Sequence, residues 1–194
     1  MLSFPLKAVA LATCLAALGG AANAAVTYKS VLSGANEFPP NASPATGEAT
    51  IVVDGDLLTL TTSFSGLLAP TTAAHIHCCT APTGGVATQV PSFPGFPTGV
   101  TAGSYSQTFD LSLASTFNPS FVFGYPNLEL AKQALLTGLA DGTAYLNIHT
   151  SAFPGGEIRG CFSVVPEPSA WAVMILGFGV AGAALRRRRA PAYA

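Results

Sequence analysis

The sequence predicts a mostly β domain, an antiparallel β-sandwich with one short helix, placed between two apolar chain ends. Segments rich in Thr, Val, Ile, Leu and Phe recur along the chain and are bounded by Gly, Pro and Asn, as strands are. A single segment between the chain ends has the apolar spacing of a helix. Because many short strands with Gly- and Pro-rich turns bury their apolar faces by packing sheets together or by closing one sheet on itself, the pattern favours a sandwich or a barrel.

Seven segments carry the strand pattern. The second and third are joined by Asp54-Gly55-Asp56, which is a strong hairpin turn signal. The two aspartates could suggest calcium, but the EF-hand pattern is absent, so we interpret them as a solvated turn. The predicted strands are Thr27–Ser33, Gly47–Val53, Leu57–Phe64, Ala73–Cys78, Ser104–Leu113, Thr143–His149 and Glu157–Val164.

The predicted helix runs from Asn127 to Thr137, with Pro126 before it and Gly138 as its stop signal. Leu128, Ala131 and Leu135 give it an apolar face that can pack on a sheet.

Two long loops, residues 34–47 and 82–99, are too rich in Pro and Gly to form a helix or a central strand. We expect Phe38, Phe93 and Phe96 to tie these loops to the body of the domain.

The N-terminal segment, residues 1–24, has the pattern of a signal peptide. Lys7 supplies the positive charge, and the apolar run Ala8–Leu18 is too short to span a bilayer. Ala22-Asn23-Ala24 fits a small-x-small cleavage site, which predicts cleavage after Ala24. The alternative is an uncleaved N-terminal anchor.

The C-terminal segment, residues 166–189, combines a polar motif, an apolar run and a basic cluster, and residues 190–194 form a short tail. The uncharged run Ser169–Leu185 predicts a single transmembrane helix of about 25 Å at 1.5 Å per residue. The basic residues that follow it would lie in the cytoplasm and the main domain outside. The motif residues are Pro166, Glu167 and Pro168, and the basic residues are Arg186, Arg187, Arg188 and Arg189.

This tail resembles the PEP-CTERM protein-sorting signal of Gram-negative bacteria, through Pro166-Glu167-Pro168, Trp171, the Gly-rich apolar run and the arginines. The resemblance implies an exosortase-type sorting enzyme as a partner and a bacterium that makes extracellular polysaccharide. It implies a precursor anchored in the inner membrane that then reaches the cell surface or extracellular matrix. The alternative is a simple tail anchor.

The remaining segment, residues 25–165, is long enough for one domain with a core of its own. It carries three basic and eight acidic side chains, a net charge of −5 with neutral histidines. Nucleic-acid partners are therefore not expected, because a basic patch is missing.

Three cysteines remain after signal cleavage: Cys78, Cys79 and Cys161. Export to an oxidising compartment favours a disulfide, and we expect Cys161 to pair with either Cys78 or Cys79. A bridge between the adjacent Cys78 and Cys79 is the strained alternative. Thioredoxin-like redox chemistry is disfavoured, since that motif has two residues between its cysteines.

Polar side chains alternate with apolar ones in the strands that contain all three histidines of the chain. Side chains two apart share a face of a strand, so His75 and His77 point one way and Ile76 the other. The same rule places His149 with Tyr145 and Asn147. A turn of residues 150–156 joins His149 to Glu157, which a hairpin would bring close together.

Two hypotheses follow for this polar face. His75, His77, His149 and Glu157 could bind one divalent transition metal such as zinc, copper or manganese. Alternatively, Arg159 pairs with Glu157 and the histidines are hydrogen-bond partners in a polar network. Serine-nucleophile and phosphate-loop motifs are absent from the sequence.

The domain as a whole resembles the CHRD domain, first described in chordin. The matching segments lie in order along the chain: Leu32–Pro40, Gly47–Ala49, Phe64–Leu67, Ala74–His77, Gly142–Thr150 and Gly155–Gly160. Many members have Gly after His-x-His and Gln near the end of the domain. Here Cys78-Cys79 and Cys161 stand at these positions, a departure that fits the expected disulfide.

The resemblance implies an extracellular β-sandwich and brings no established activity. The fold class expected is an immunoglobulin-like or superoxide-dismutase-like sandwich. The histidine pair is similar to that of copper/zinc superoxide dismutase, but too few ligands match to carry that enzyme over. We therefore expect a non-enzymatic surface or matrix protein that binds extracellular polysaccharide or surface proteins. The alternative is a metal-dependent redox or hydrolytic protein.

Overall fold

A computed structural model describes residues 24–80, 82–166 and 168–188 of the 194-residue chain. Within these ranges it contains nine strands, three α-helices and two 3₁₀ turns, at Gly34–Asn36 and Ala114–Thr116. The strands are β1 (Val26–Ser33), β2 (Thr46–Asp54), β3 (Leu57–Ser65), β4 (Thr71–Cys78), β5 (Gly85–Val86), β6 (Gly103–Asp110), β7 (Tyr145–Thr150), β8 (Ile158–Cys161) and β9 (Ser163–Val164). The helices are α1 (Pro119–Phe123), α2 (Leu128–Ala140) and α3 (Pro168–Arg188).

The described strands form one antiparallel sheet in the order β5-β4-β7-β8-β1-β2-β3-β6, and β9 also pairs with β1. The prediction of a mostly β, antiparallel fold is confirmed. The sequence predicted a sandwich of two packed sheets or a barrel, and hydrogen bonds here join all the described strands into one curled sheet. The join is β1, which pairs with β2 on one side and with β8 and β9 on the other.

The core lies on the inner face of the curled sheet. Alternate residues of every long strand point into it, as the burial pattern of β3 shows. A loop closes the curl: Thr71 at the start of β4 exchanges backbone hydrogen bonds with Gly99 and Val100, just before β6. The largest fully buried side chains are Leu32, Ile51, Leu58, Leu60, Ile76, Leu111, Phe117, Leu135, Leu139, Leu146, Ile148 and Phe162.

The predicted strands occur at the expected places, with shifts at their ends. The Asp54-Gly55-Asp56 turn is confirmed, with Gly55 at φ +57°. The segment predicted as Glu157–Val164 begins one residue later, at Ile158, and is divided at Phe162 into β8 and β9. The predicted strand Ser104–Leu113 ends early, at Asp110, whose carboxylate accepts hydrogen bonds from the amide and hydroxyl of Ser112.

Helix α2 confirms the predicted helix, and Asn127 caps it by accepting a hydrogen bond from the Leu130 amide. Gly138 was expected to stop the helix but lies inside it. A glycine is required there for packing, since a Cβ at Gly138 would meet Cys78 Sγ at 2.5 Å.

Two of the three loop phenylalanines tie their loop to the body. Phe93 and Phe96 are buried, and their rings lie 5.9 and 5.5 Å from that of Tyr105. The expectation for Phe38 was wrong: its side chain is 60% exposed on the surface of the loop.

The chain ends are described only in part. The predicted signal peptide falls almost entirely on residues 1–23, outside the described residues, as do Glu167 and Arg189. Helix α3 begins at Pro168 and includes Arg186, Arg187 and Arg188. Among the residues whose side chains the structure describes, no helix is long and apolar enough to cross a membrane.

Gly160 in β8 tests the close approach of β1 and β8. A Cβ at this position would overlap Ser30 Oγ and Val31 O and lie 2.8 Å from Val31 C. We expect Gly160→Ala to lower the free energy of unfolding by about 1–3 kcal/mol, because backbone must move to admit the methyl group. Urea denaturation measures the change, with Gly85→Ala as the control, since a Cβ there meets nothing within 4 Å. Equal stability of the two variants would contradict the packing.

Candidate metal centre

The three histidines meet on the face of the sheet opposite the core. His75 and His77 lie two residues apart on β4, and the neighbouring strand β7 supplies His149, which pairs in register with Ala73. Each histidine offers one ring nitrogen to a group whose members lie within 4.8 Å of one another. The strand period and the β4–β7 register are sufficient to place the three side chains together, as the sequence predicted.

Backbone carbonyls fix the tautomer of each ring. His75 Nε2 lies 2.8 Å from Pro91 O. His77 Nδ1 lies 2.9 Å from Gly84 O, and His149 Nδ1 lies 2.9 Å from Pro154 O. A carbonyl oxygen only accepts, so each of these nitrogens must donate. In a neutral imidazole the other nitrogen then carries a lone pair.

The lone pairs converge. His75 Nδ1 and His149 Nε2 lie 3.3 Å apart. His77 Nε2 is buried and has no hydrogen-bond partner within the described residues. Two lone pairs that face each other repel, so a hydrogen-bond donor or a cation between these nitrogens, such as a proton or a metal ion, would stabilise the cluster.

Burial opposes the proton. Desolvation lowers the pKa of all three imidazoles, and that of His75 falls to about 4 despite the Pro91 carbonyl, which raises it. At neutral pH the rings are therefore neutral, in the state that coordinates a metal. Metal-bound histidines commonly donate their second nitrogen to a backbone carbonyl, as all three do here.

Tyr145 and Arg159 support one side of the cluster. The Tyr145 ring stacks on His77 at 4.9 Å with an interplanar angle of 11°, and the Arg159 guanidinium lies 4.8 Å from the Tyr145 ring centre. The Tyr145 hydroxyl and His77 Nδ1 both donate to Gly84 O. The stack of Arg159, Tyr145 and His77 holds the His77 ring in its orientation. The sequence placed Tyr145 on the histidine face but gave it no role.

Glu157 does not join the histidines, contrary to the sequence prediction. Its side chain is fully buried, and its carboxylate accepts hydrogen bonds of 2.7 Å from Ser43 Oγ, the Leu68 amide and Thr150 Oγ1. Thr150 belongs to the core face of β7, so the carboxylate lies on the opposite side of the sheet from His149. Gly156, at φ +128°, turns the chain just before Glu157 and ends the strand alternation there.

Arg159 does not pair with Glu157 either. It donates to Asn36 O at 2.5 Å and to Pro82 O at 2.6 Å, and its Nε lies 3.7 Å from Glu37 Oε2. Arg159 therefore links two long loops to the sheet.

Two family models match the chain. The CHRD domain model covers residues 28–162, and the PEP-CTERM protein-sorting motif covers residues 164–189. The chain belongs to the CHRD domain family. No curated protein and no solved structure matches it. The sorting motif marks an exported protein that an exosortase-type enzyme sorts to the cell surface.

The cysteines of this CHRD domain pair differently from the prediction. Cys78 and Cys79 form a disulfide with each other, whereas Cys161 is free and exposed. Cys78 follows His77 and so points into the core, toward helix α2, where Cys79 Sγ lies 3.2 Å from Ala134 O. Cys161 is on the histidine face of β8, and β7 separates it from β4. The expected bridge would therefore have to cross the sheet.

A thiol titration tests this pairing. We expect one thiol per chain to react with an aromatic disulfide reagent in the folded, signal-cleaved protein without reductant, because Cys161 is the only free and exposed cysteine among the described residues. Cys161→Ser should abolish the signal, while Cys78→Ser should increase it by freeing the half-buried Cys79. A folded wild-type protein without a reactive thiol would contradict the assignment.

Glu37 gives the CHRD domain a pH-dependent stability. Burial raises its pKa to about 7, although Arg159 and the Phe38 amide lower it. The folded state then holds a proton that the unfolded chain releases near pH 4.5. We expect this contribution to be complete below pH 4.5 and to be lost as the pH rises to about 7. Urea midpoints across this range measure it, and Glu37→Gln should remove this decline. An unchanged pH profile in the variant would contradict the argument.

Proposed function

We propose that this protein is an exported, exosortase-sorted surface protein whose CHRD domain binds one divalent transition metal ion through His75, His77 and His149. The observation that carries the proposal is the convergence of three imidazole lone pairs, with each tautomer fixed by a backbone carbonyl. An uncompensated cluster of this kind would be unfavourable in a partly buried site.

The spacing supports a metal of the size of zinc or copper. Metal–imidazole bonds of about 2.0–2.1 Å place tetrahedral ligand nitrogens about 3.4 Å apart. His75 Nδ1 and His149 Nε2 lie 3.3 Å apart, close to that separation. A ring nitrogen of His77 lies within 4.8 Å of a ring nitrogen of each of the other two histidines, so a modest movement of one ring would complete the set.

The donor atoms narrow the class of metal. Imidazole nitrogen suits zinc, copper, nickel and iron, while calcium and magnesium require oxygen ligands. Glu157, the oxygen ligand that the sequence suggested, is held by three donors elsewhere. Three protein ligands leave a fourth position for water or another small ligand when the metal is bound.

We propose binding rather than catalysis. The enzymatic alternative predicted from the sequence used Glu157 together with the three histidines. The Glu157 carboxylate lies on the core face, away from the imidazoles. Before sorting, we propose that the apolar run Ser169–Leu185 anchors the precursor in the inner membrane, with residues 25–165 outside.

Metal analysis of the full-length chain, purified in detergent and equilibrated with zinc or copper, tests the proposal. We expect about one ion per chain by mass spectrometry. His75→Ala, His77→Ala and His149→Ala should each lower the ratio at least tenfold, because two imidazoles hold the ion much less tightly. Glu48→Gln is the control, because this glutamate is exposed on β2, which is not a neighbour of β4 or β7 in the sheet, and the variant should keep the wild-type ratio.

Circular dichroism separates loss of metal from loss of fold. A folded wild-type protein without metal would refute the proposal, as would folded histidine variants that keep it. A folded Glu48→Gln variant that loses the metal would also contradict the assignment to the histidines.

A further inference from the structure

A second site lies beside the histidine face, in a groove between the loop after β1 and the turn after β7. We name it the Glu37 groove. It is lined by residues 37–41 of the loop and residues 152–156 of the turn.

Hydrogen bonds fix both walls of the Glu37 groove. In the loop, the amides of Glu37 and Asn41 both donate to Gly34 O, at 3.1 and 3.0 Å. In the turn, the Gly156 amide donates to Phe153 O at 3.0 Å. Asn41 joins the walls, since its Nδ2 donates to Glu157 O at 3.0 Å. The groove is therefore formed before any ligand arrives, which lowers the entropic cost of binding.

Glu37, one of the residues that line the groove, has a buried acceptor without a partner. Glu37 is 6% exposed, and its Oε1 has no hydrogen-bond partner in the described part of the chain. Asn147 Oδ1, which lies beneath the turn, is also buried and without a hydrogen-bond partner among the described residues. It lies so close to the turn that a Cβ at Gly156 would overlap the Asn147 amide group. Buried polar atoms are nearly always satisfied, so the groove favours a ligand that brings hydrogen-bond donors.

Charge excludes ionic ligands. Arg159 Nε lies 3.7 Å from the Glu37 carboxylate and offsets its charge, and the lining of the groove contains no other acidic or basic side chain among the described residues. A metal cation would have too few oxygen ligands, and an anion would meet the buried carboxylate.

The exposed ring of Phe38 adds an apolar surface to the site. The Phe38 ring is 60% exposed at the mouth of the groove and is followed by two prolines, Pro39 and Pro40. An aromatic ring presented beside hydrogen-bonding groups suits a ligand with one apolar face and several hydroxyls.

We propose that the Glu37 groove binds a sugar residue of a neutral polysaccharide, with the sugar's C–H face on Phe38 and a hydroxyl on Glu37. A pyranose matches the site in three respects: it is uncharged, it donates several hydrogen bonds, and it has an apolar face. The histidine cluster is not part of this groove, so sugar binding does not depend on a metal ion.

Calorimetric titration of the full-length chain with hexasaccharides of glucose, galactose and mannose tests the proposal, with an acidic uronate oligosaccharide alongside. We expect at least one neutral hexasaccharide to bind, with the same affinity after chelation of metal. Phe38→Ala should weaken hexasaccharide binding at least tenfold by removing the aromatic ring on which the sugar lies. Phe123→Ala is the matched control, because this phenylalanine is 92% exposed on α1, outside the groove lining.

Two further outcomes decide the matter. Glu37→Gln should weaken neutral-sugar binding while the chain remains folded, which assigns the hydroxyl contact to the carboxylate. The proposal fails if no neutral hexasaccharide binds, if only the uronate binds, or if Phe38→Ala binds as well as Phe123→Ala. A proline-rich peptide that binds in place of sugars would assign the groove to protein partners instead.

Discussion

The fully buried carboxylate of Glu157 is the interaction on which both functional surfaces depend. Its three donors come from separate segments: Ser43 before β2, Leu68 after β3 and Thr150 at the end of β7. Such a group is stable without a cationic partner only when hydrogen bonds replace its lost water. These three hydrogen bonds hold the turn of residues 150–156 against the loop that contains Asn41. One side of that turn supplies the carbonyl of Pro154 to His149, and the other forms a wall of the Glu37 groove.

Local rules predicted most of the fold and part of the candidate site. Side-chain alternation along β4 and β7 placed His75, His77 and His149 on one face, and the structure brings their nitrogens together. The same rule would have placed Cys78 on the opposite face from Cys161 and argued against their disulfide. The sheet topology was harder, because nothing local in β1 reveals that it pairs on both sides.

The remainder of the site could not be predicted because it depends on distant backbone. The histidine tautomers are set by the carbonyls of Gly84, Pro91 and Pro154, which lie in loops and have no side-chain signature. Glu157 was misplaced because a single glycine turn interrupts the alternation that carried the argument. Phe38 was misplaced because an aromatic residue among prolines gives the same sequence signal whether it packs inward or faces solvent.

The place of β1 in the sheet has a consequence for folding. This strand begins the domain, yet two of its pairing partners, β8 and β9, lie more than a hundred residues later. Long-range pairing of this kind forms late and slowly. The last of these pairs joins Tyr28 to Val164, the residue at which the sorting motif begins. The sheet is therefore complete only when the chain is available up to its sorting signal, and a chain cut short of that signal would lack a strand of the domain.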